Sequence, residues 1–200
     1  LHSLRRRQRQ MCIRDSHYHN SYFVGFLMDG ILLLEKQKET NHYQIQSLPI
    51  NSGVFCLKKD RFQDVVWIGT DGQGVYLYSN PLYSIKSMVL SNYTEKIERP
   101  VRAIYLDDER TFWVGTKGNG ILKIYDYEFD KNISDCRAEV LTTSNSALSS
   151  NAVYCFAKSH RNLLWIGDEE GLTYYSYREK RIKSIPIRIL SLIHISEPTR

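Results

Sequence analysis

Short apolar runs separated by polar, glycine-containing turns recur along the whole chain. Residues 65–69 (VVWIG) and 163–167 (LLWIG) are continuously apolar, which is typical of a strand covered on both faces. The longest apolar stretch, residues 22–34, is interrupted by Asp29 and Gly30 and falls short of the roughly 18 apolar residues of a membrane-spanning helix. The pattern therefore predicts an all-β chain of short strands without a membrane segment.

One longer pattern occurs four times. Its copies are YFVGFLMDGILLL from Tyr22, VWIGTDGQGVYLY from Val66, FWVGTKGNGILKIY from Phe112 and LWIGDEEGLTYY from Leu164. The equivalent aromatic residues, which are 44, 46 and 52 positions apart, are Phe23, Trp67, Trp113 and Trp165. Such spacing fits a four-stranded β-propeller blade and is too long for most helical repeats. The large aromatic side chains are expected to fill the space between blades.

Two glycines recur in every copy. The first closes the apolar run, where we expect a bulge or a close approach by a neighbouring chain; its copies are Gly25, Gly69, Gly115 and Gly167. The second follows four or five residues later and is expected to close a tight turn with positive φ; its copies are Gly30, Gly74, Gly120 and Gly171. Each repeat therefore predicts two strands joined by a glycine turn.

Further strands flank these pairs. Inner strands are predicted at residues 54–57, 101–106 and 153–156, where Cys56, Ala103 and Cys155 hold the same place as small, packed residues. Third strands are predicted at 75–78, 121–125 and 172–175, and an outer strand at 85–90. The fold class predicted is an all-β partial propeller of about four four-stranded antiparallel blades, over residues 17–189.

The formal charge of +5 is concentrated at one end, because five arginines and one aspartate lie within residues 1–16. The remaining charge is too small for a surface that follows nucleic acid phosphates, so no nucleic acid partner is expected. Residues 1–16 and 190–200 lack the repeat, and RQRQMCIRDS and SLIHISEPTR resemble translated sequencing-adapter segments. Both ends are interpreted as non-native; the alternative for the first is a native basic arm.

The motifs around Trp67 and Trp113 resemble the two-component regulator propeller repeat. The resemblance rests on Asp60 with VWIGT and Gly74, and on Asp108 with FWVGT and Gly120. The copies at Phe23 and Trp165 are weaker, because Phe26 and Asp168 replace the threonine. The resemblance implies a periplasmic sensor region of a hybrid histidine kinase, an oligosaccharide ligand, and further blades and output domains in a longer protein, which is expected to form a homodimer.

No catalytic residue, metal site or cofactor is predicted. The cysteines lack zinc-site spacing, and Cys56 and Cys155 lie in blades too far apart for a disulfide. The acidic clusters 107–109 and 168–170 are interpreted as solvated turns. If the inner strands run as assigned, loops that share one face bring together the candidate ligand-binding residues Asp71, Gln73, Arg99, Lys117, Asn119, Asn151, Asp168 and Glu169.

Two other functions remain open at this point. One is a propeller enzyme acting on polysaccharides as a glycosidase or lyase, and the other is a protein-binding scaffold. The fold class does not separate these from a sensor, because propellers host many functions.

Overall fold

The computed structural model describes residues 16–18, 21–37, 42–79, 84–88, 99–127, 136–159 and 161–185. Within these ranges the chain forms sixteen strands, and no helix long and apolar enough to cross a membrane is found. Most of both termini interpreted as non-native lies outside the described residues, although Ser16 begins the first strand. Residues 186–189, the end of the predicted propeller region, also lie outside them.

The strands form four sheets of four, each a meander of consecutive antiparallel strands. We call these sheets blades 1 to 4 and the first strand of each blade its inner strand. Blade 1 contains β1 (Ser16–Tyr18), β2 (Ser21–Gly25), β3 (Ile31–Lys36) and β4 (Tyr43–Ser47). Blade 2 contains β5 (Val54–Lys59), β6 (Val65–Thr70), β7 (Val75–Ser79) and β8 (Ser84–Met88). Blade 3 contains β9 (Val101–Leu106), β10 (Phe112–Thr116), β11 (Ile121–Ile124) and β12 (Ala138–Leu141). Blade 4 contains β13 (Val153–Lys158), β14 (Leu163–Asp168), β15 (Gly171–Ser176) and β16 (Arg181–Ser184).

The predicted strands agree with the observed ones to within a few residues. The inner strand predicted at 101–106 coincides with β9, whereas β5 and β13 each continue two residues further than predicted. The outer strand predicted at 85–90 is β8, which ends at Met88. The four predicted blades are therefore confirmed.

Aromatic residues from the repeat fill the contacts between blades, as predicted. Phe23, Trp67 and Trp113 are each 0% exposed. Trp67 packs on Phe112 of the next blade with ring centroids 4.1 Å apart, and Trp113 packs on Tyr175 of the next blade at 4.8 Å. Each of these aromatic side chains thus packs in the interface between its own blade and the next blade along the chain. Three hydrophobic clusters join the four blades in sequence.

The first glycine of the repeat makes room for the next blade. A Cβ placed on Gly69 would lie 2.8 Å from Val101 Cγ1, and one on Gly115 would lie 2.8 Å from Val153 Cγ1. Gly25 has the same relation to Val54, at 2.7 Å. Because real Cβ atoms do not approach this closely, any side chain here would push neighbouring blades apart. The predicted close approach is confirmed for these three glycines, and the approaching group is a valine at the start of the next inner strand. Gly167 has no such neighbour among the described residues.

Two buried aspartates hold the tryptophan side chains in place by accepting their indole N–H groups. Asp60 Oδ2 accepts the indole N–H of Trp67 at 2.8 Å, and Asp107 Oδ2 accepts that of Trp113 at 2.9 Å. Their other carboxylate oxygens accept backbone N–H groups of the turn between the first two strands, at 2.7–2.9 Å. The alignment of Asp108 with Asp60 was wrong by one residue: Asp107 is the equivalent. Asp107 is 2% exposed, so the interpretation of this cluster as a solvated turn was wrong for Asp107, whereas Asp108 and Glu109 are exposed as predicted.

Blade 4 has no following blade among the described residues, and its outer face differs accordingly. Trp165 is only partly buried and Cys155 is exposed, whereas Trp67 and Cys56 in the same positions are buried. The predicted burial is therefore confirmed for Cys56 and wrong for Cys155, because the described residues include no blade that covers it. Cys136, which the sequence left without an interpretation, is buried in the cluster between blades 2 and 3.

Replacing Gly115 by alanine tests the glycine contact. Gly115→Ala is expected to lower the free energy of unfolding by about 1–3 kcal/mol, because the methyl group overlaps Val153. At Gly167 an added Cβ meets only Cys155 Sγ, which is exposed and belongs to the same blade, so Gly167→Ala should cost clearly less. Urea unfolding of both variants measures the difference, and equal losses would contradict this packing account.

Adjacent aspartates provide a matched pair of variants for the indole contact. Asp107→Ala is expected to cost about 1–3 kcal/mol of unfolding free energy, because it leaves the indole and turn N–H groups without their buried acceptor. Asp108→Ala should cost less than about 1 kcal/mol, although Asp108 forms two ion pairs, because these are exposed. Thermal or urea unfolding monitored by tryptophan fluorescence measures both, and a larger loss for Asp108→Ala would refute the assignment.

Candidate functional site

One end of the blade stack is built from two kinds of loop, and we call it the upper face. It contains the turns between the second and third strands and the segments that lead into the inner strands. In blade 2 the Asp71 N–H donates to Gly53 O at 2.8 Å, and in blade 4 the Glu169 N–H donates to Ala152 O at 2.9 Å. The equivalent bond in blade 3 joins Lys117 to Pro100, at 2.9 Å. These bonds place the two sets of loops side by side, as the sequence predicted.

The turns themselves have the predicted glycine geometry. Gly74 and Gly120 have φ values of 75° and 74°, a conformation that residues with a side chain rarely adopt. The threonine of the repeat closes the same turn: Thr70 Oγ1 donates to Gly74 O at 2.7 Å and Thr116 Oγ1 to Gly120 O at 2.9 Å. The upper turns are therefore held by their own backbone and by the threonine hydroxyl, so the side chains at their tips are not needed to close them.

Asn151 joins blade 4 to blade 3 on the upper face. Its backbone oxygen accepts the N–H groups of both Gly118 and Gly120 at 2.9 Å. Its side-chain Oδ1 accepts the N–H of Thr143 at 2.9 Å. Asn151 thus fixes the position of the turn at residues 117–120 relative to the next blade.

Two cations lie beside this turn. Arg99 is exposed, and a Cβ on Gly118 would lie 3.8 Å from Arg99 Nε. Lys117 is exposed as well and is bonded through its backbone to Pro100, the neighbour of Arg99. Asn119 lies in the same turn, and its buried Oδ1 accepts no hydrogen bond from the described residues. We call Arg99, Lys117, Asn119 and Asn151 the upper patch.

The other four candidate residues lie on the same face, in two places. Asp71 and Gln73 are exposed in the turn of blade 2; Gln73 Oε1 accepts the Tyr76 hydroxyl at 3.1 Å. In blade 4 Glu169 is exposed, whereas Asp168 is 8% exposed and its carboxylate accepts the Ser149 hydroxyl and two backbone N–H groups. The interpretation of Asp168 as part of a solvated turn was wrong, because its carboxylate is buried within the turn.

Sequence reasoning missed a second group of residues, which lies along the inner strands. Each is the second residue of its inner strand and lies where the pairing register with the second strand shifts. The residues are Phe55 in blade 2, Arg102 in blade 3 and Tyr154 in blade 4. The sequence did contain a signal for this group, because each inner strand has one large residue between two small or β-branched residues. Periodicity alone did not show that this side chain leaves the sheet.

The lower face, at the opposite end, holds an ion-pair chain across three blades. Arg61 Nη1 lies 2.8 Å from Asp108 Oδ1, and Lys158 pairs with the other oxygen of the same carboxylate. The hydrogen bond from Lys158 lowers the pKa of Asp108. A small pocket beside it is lined by Asp108, Glu109, Lys158, Ser159, Asn162, Leu163 and Tyr177. The three charged side chains are exposed, so these ion pairs order the turns more than they stabilise the fold.

Lys123 is buried between blades 3 and 4 among aromatic rings. Its Nζ donates to the Tyr175 hydroxyl at 2.9 Å and lies 4.7 Å from the Trp113 ring centroid. Burial lowers the pKa of Lys123 and raises the pKa of Tyr175 to about 12. The contact is satisfied within the fold, so we assign it a structural role. Among the described residues no group of histidine, cysteine and acidic side chains could hold a metal ion.

Solved structures show which fold this arrangement belongs to. The β-propeller domain of Cps50 (Swd1) from Myceliophteria thermophila matches 83% of this chain and 55% of its own, at 10% identity and a TM-score of 0.58. The chain is a partial β-propeller. The extracellular domain assigned to the hybrid two-component system BT3049 of B. thetaiotaomicron matches 90% of this chain at 22% identity and a TM-score of 0.69. The extracellular domain assigned to BT4673 of the same organism matches 79% of this chain at 19% identity and a TM-score of 0.58.

The propeller spans less than a quarter of these two extracellular domains, namely 23% and 20% of their chains. Neither a protein-family model nor a curated protein matches the sequence. At these identities the similarity establishes the fold.

The buried Tyr175 hydroxyl gives the propeller a pH dependence that can be measured. Between pH 10 and about 12 the unfolded chain loses the Tyr175 proton and the folded chain keeps it, so stability falls as pH rises. Tyr175→Phe is expected to lower stability at neutral pH, by removing the bond to Lys123, and to flatten the decline above pH 10. Urea unfolding at pH 8, 10 and 11 measures both effects; parallel curves for the two proteins would contradict the assignment.

Proposed function

We propose that this chain is part of the extracytoplasmic sensor region of a two-component signal transduction protein, and that its upper face binds the ligand. The observation that carries the proposal is the upper patch, where backbone hydrogen bonds join loops of two blades that carry four polar residues. Support comes from the similarity to extracellular domains assigned to two-component systems, and from the repeat motifs around Trp67 and Trp113. A periplasmic location belongs to the same proposal.

Loops of a propeller are suited to binding because strands hold them without using the side chains at their tips. In the upper patch, backbone bonds fix the turn at residues 117–120, and the side chains of Arg99 and Lys117 stay exposed. These residues and the two asparagines offer donors and acceptors that suit a ligand rich in hydroxyl groups. An oligosaccharide is accordingly the ligand class that we propose.

Signal transfer would follow from the position of the patch between two blades. A ligand that contacts both the turn of blade 3 and Asn151 of blade 4 favours the blade arrangement in which both contacts form. The change is then passed on by other parts of a longer, paired protein, and we assign no phosphotransfer or hydrolytic step to this chain. Asp107 and Asp168, the buried members of the two acidic clusters, are bound within their own turns, which disfavours glycoside chemistry at either.

The proposal predicts that the upper patch controls the response of the longer protein. Arg99→Ala combined with Lys117→Ala is expected to raise the oligosaccharide concentration needed for half-maximal autophosphorylation by about tenfold or more, because two charged donors are lost. Membrane vesicles containing the two-component protein, treated with a panel of polysaccharide digests, provide the measurement. Arg178→Ala, an exposed arginine in blade 4 outside the patch, is the matched control. An unchanged concentration dependence in the double variant would refute the proposed binding face.

A further inference from the structure

The inner strands of blades 2, 3 and 4 carry the same irregularity at the same place. In blade 2 Val54 pairs with Thr70 and Cys56 with Gly69, so Phe55 is an extra residue without a partner. Blade 3 repeats this around Arg102 and blade 4 around Tyr154. Each is a β-bulge, in which one strand has an additional residue that re-aims a side chain.

The bulge directs these three side chains away from both blade interfaces. Val54 packs in the cluster between blades 1 and 2, whereas Cys56 packs in the cluster between blades 2 and 3. In a regular strand, residues two apart would lie on the same face. Because the flanking residues lie on opposite faces, the bulged residue between them leaves the sheet at its free edge. That edge belongs to the first strand of every sheet. The first strands β5, β9 and β13 contact one another in turn, so their edges lie on the side where the blades converge, which in a propeller is the axis.

Along this edge an arginine lies on an aromatic ring. The guanidinium carbon of Arg102 lies 3.7 Å from the centroid of the Phe55 ring in the preceding blade. The buried Nε of Arg102 has no hydrogen-bond partner, and Arg102 forms no ion pair among the described residues. In blade 4 the equivalent Tyr154 is 37% exposed. We call Phe55, Arg102 and Tyr154 the axial triad.

Such an arginine is arranged to bind an anion. Stacking on an aromatic ring covers one face of the guanidinium and fixes its plane, while the N–H groups at its edge stay available for a bidentate bond to a carboxylate. Arg99, three residues earlier, and Lys117 add positive charge at the end of the strand where the bulge lies. Clustered positive charge of this kind attracts an anionic group.

We propose that the axial triad is a binding subsite for a carboxylate group of the ligand, with Arg102 holding the carboxylate and Tyr154 contacting the adjoining part of the ligand. The inference rests on the proposed sensor function and names the chemistry that the site selects. With this subsite, the proposed binding site extends from the upper patch to the propeller axis. The proposed ligand is then an acidic oligosaccharide.

Galacturonate and galactose test the subsite, because the first carries a carboxylate where the second carries a hydroxymethyl group. Phenylglyoxal modifies arginine side chains, and peptide mass spectrometry of the modified chain reports on Arg102 separately from the other arginines. Galacturonate is expected to slow the modification of Arg102 in proportion to the occupied fraction, and galactose is not. This measurement uses the unaltered chain, so it does not depend on whether a variant folds. Equal protection by the two sugars would overturn the carboxylate assignment and leave the proposed sensor function standing.

Calorimetric titration provides the second measurement. Arg102→Gln is expected to weaken galacturonate binding about tenfold or more, because a charge-assisted bond is lost. Arg178→Gln, which changes an exposed arginine outside the site, should leave the affinity unchanged. Acetate, a carboxylate without a sugar, is expected to bind much more weakly than galacturonate. Acetate binding as tight as galacturonate binding, or galacturonate affinity that is unaffected by Arg102→Gln, would overturn the proposal.

Discussion

The fit of one blade onto the next is the contact on which the rest of the structure depends. In each of three junctions a glycine in the second strand accepts a valine methyl group from the next inner strand, and a neighbouring aromatic side chain fills the remaining space. The glycine allows the backbones to approach, and the aromatic residue supplies most of the apolar area that leaves water. A blade has little core of its own, so its stability comes from its neighbours. The partly buried Trp165 and the exposed Cys155 show the same surface where no neighbour is described.

Buried polar contacts give this apolar packing a single geometry. An indole can rotate or shift within an apolar gap, but Asp60 and Asp107 hold Trp67 and Trp113 through charge-assisted bonds that also close the adjacent turns. A carboxylate buried in this way must have all its partners, because an unpaired charge there would cost several kcal/mol. Asp168 plays a comparable part in the upper turn of blade 4, where it replaces the repeat threonine.

The candidate sites arise because equivalent residues of neighbouring blades lie at the same level of the blade stack. Because blades 2, 3 and 4 present their turns and their inner-strand bulges at equivalent heights, residues far apart in sequence become neighbours around the axis. Phe55 and Arg102 are 47 positions apart and stack at 3.7 Å, and Asn151 bonds the turn of the preceding blade. On the lower face, Asp108 joins Arg61 and Lys158 in the same manner. In the proposed function, a ligand at the upper face would touch residues of several blades at once, as a sensor of blade arrangement requires.

The sequence by itself determined the repeat, the four blades that it encodes, the strand core of each copy and the face on which the upper loops gather. These follow from local rules, because apolar runs, turn glycines and a fixed period are properties of neighbouring positions. It did not determine which acidic residue binds Trp113, since Asp107 and Asp108 differ only in how the turn points them. Nor did it reveal that Arg102 leaves the sheet toward the axis, or that Cys155 is exposed. Those outcomes depend on a bulge and on the presence of a covering blade, which arise only when separate strands come together in space.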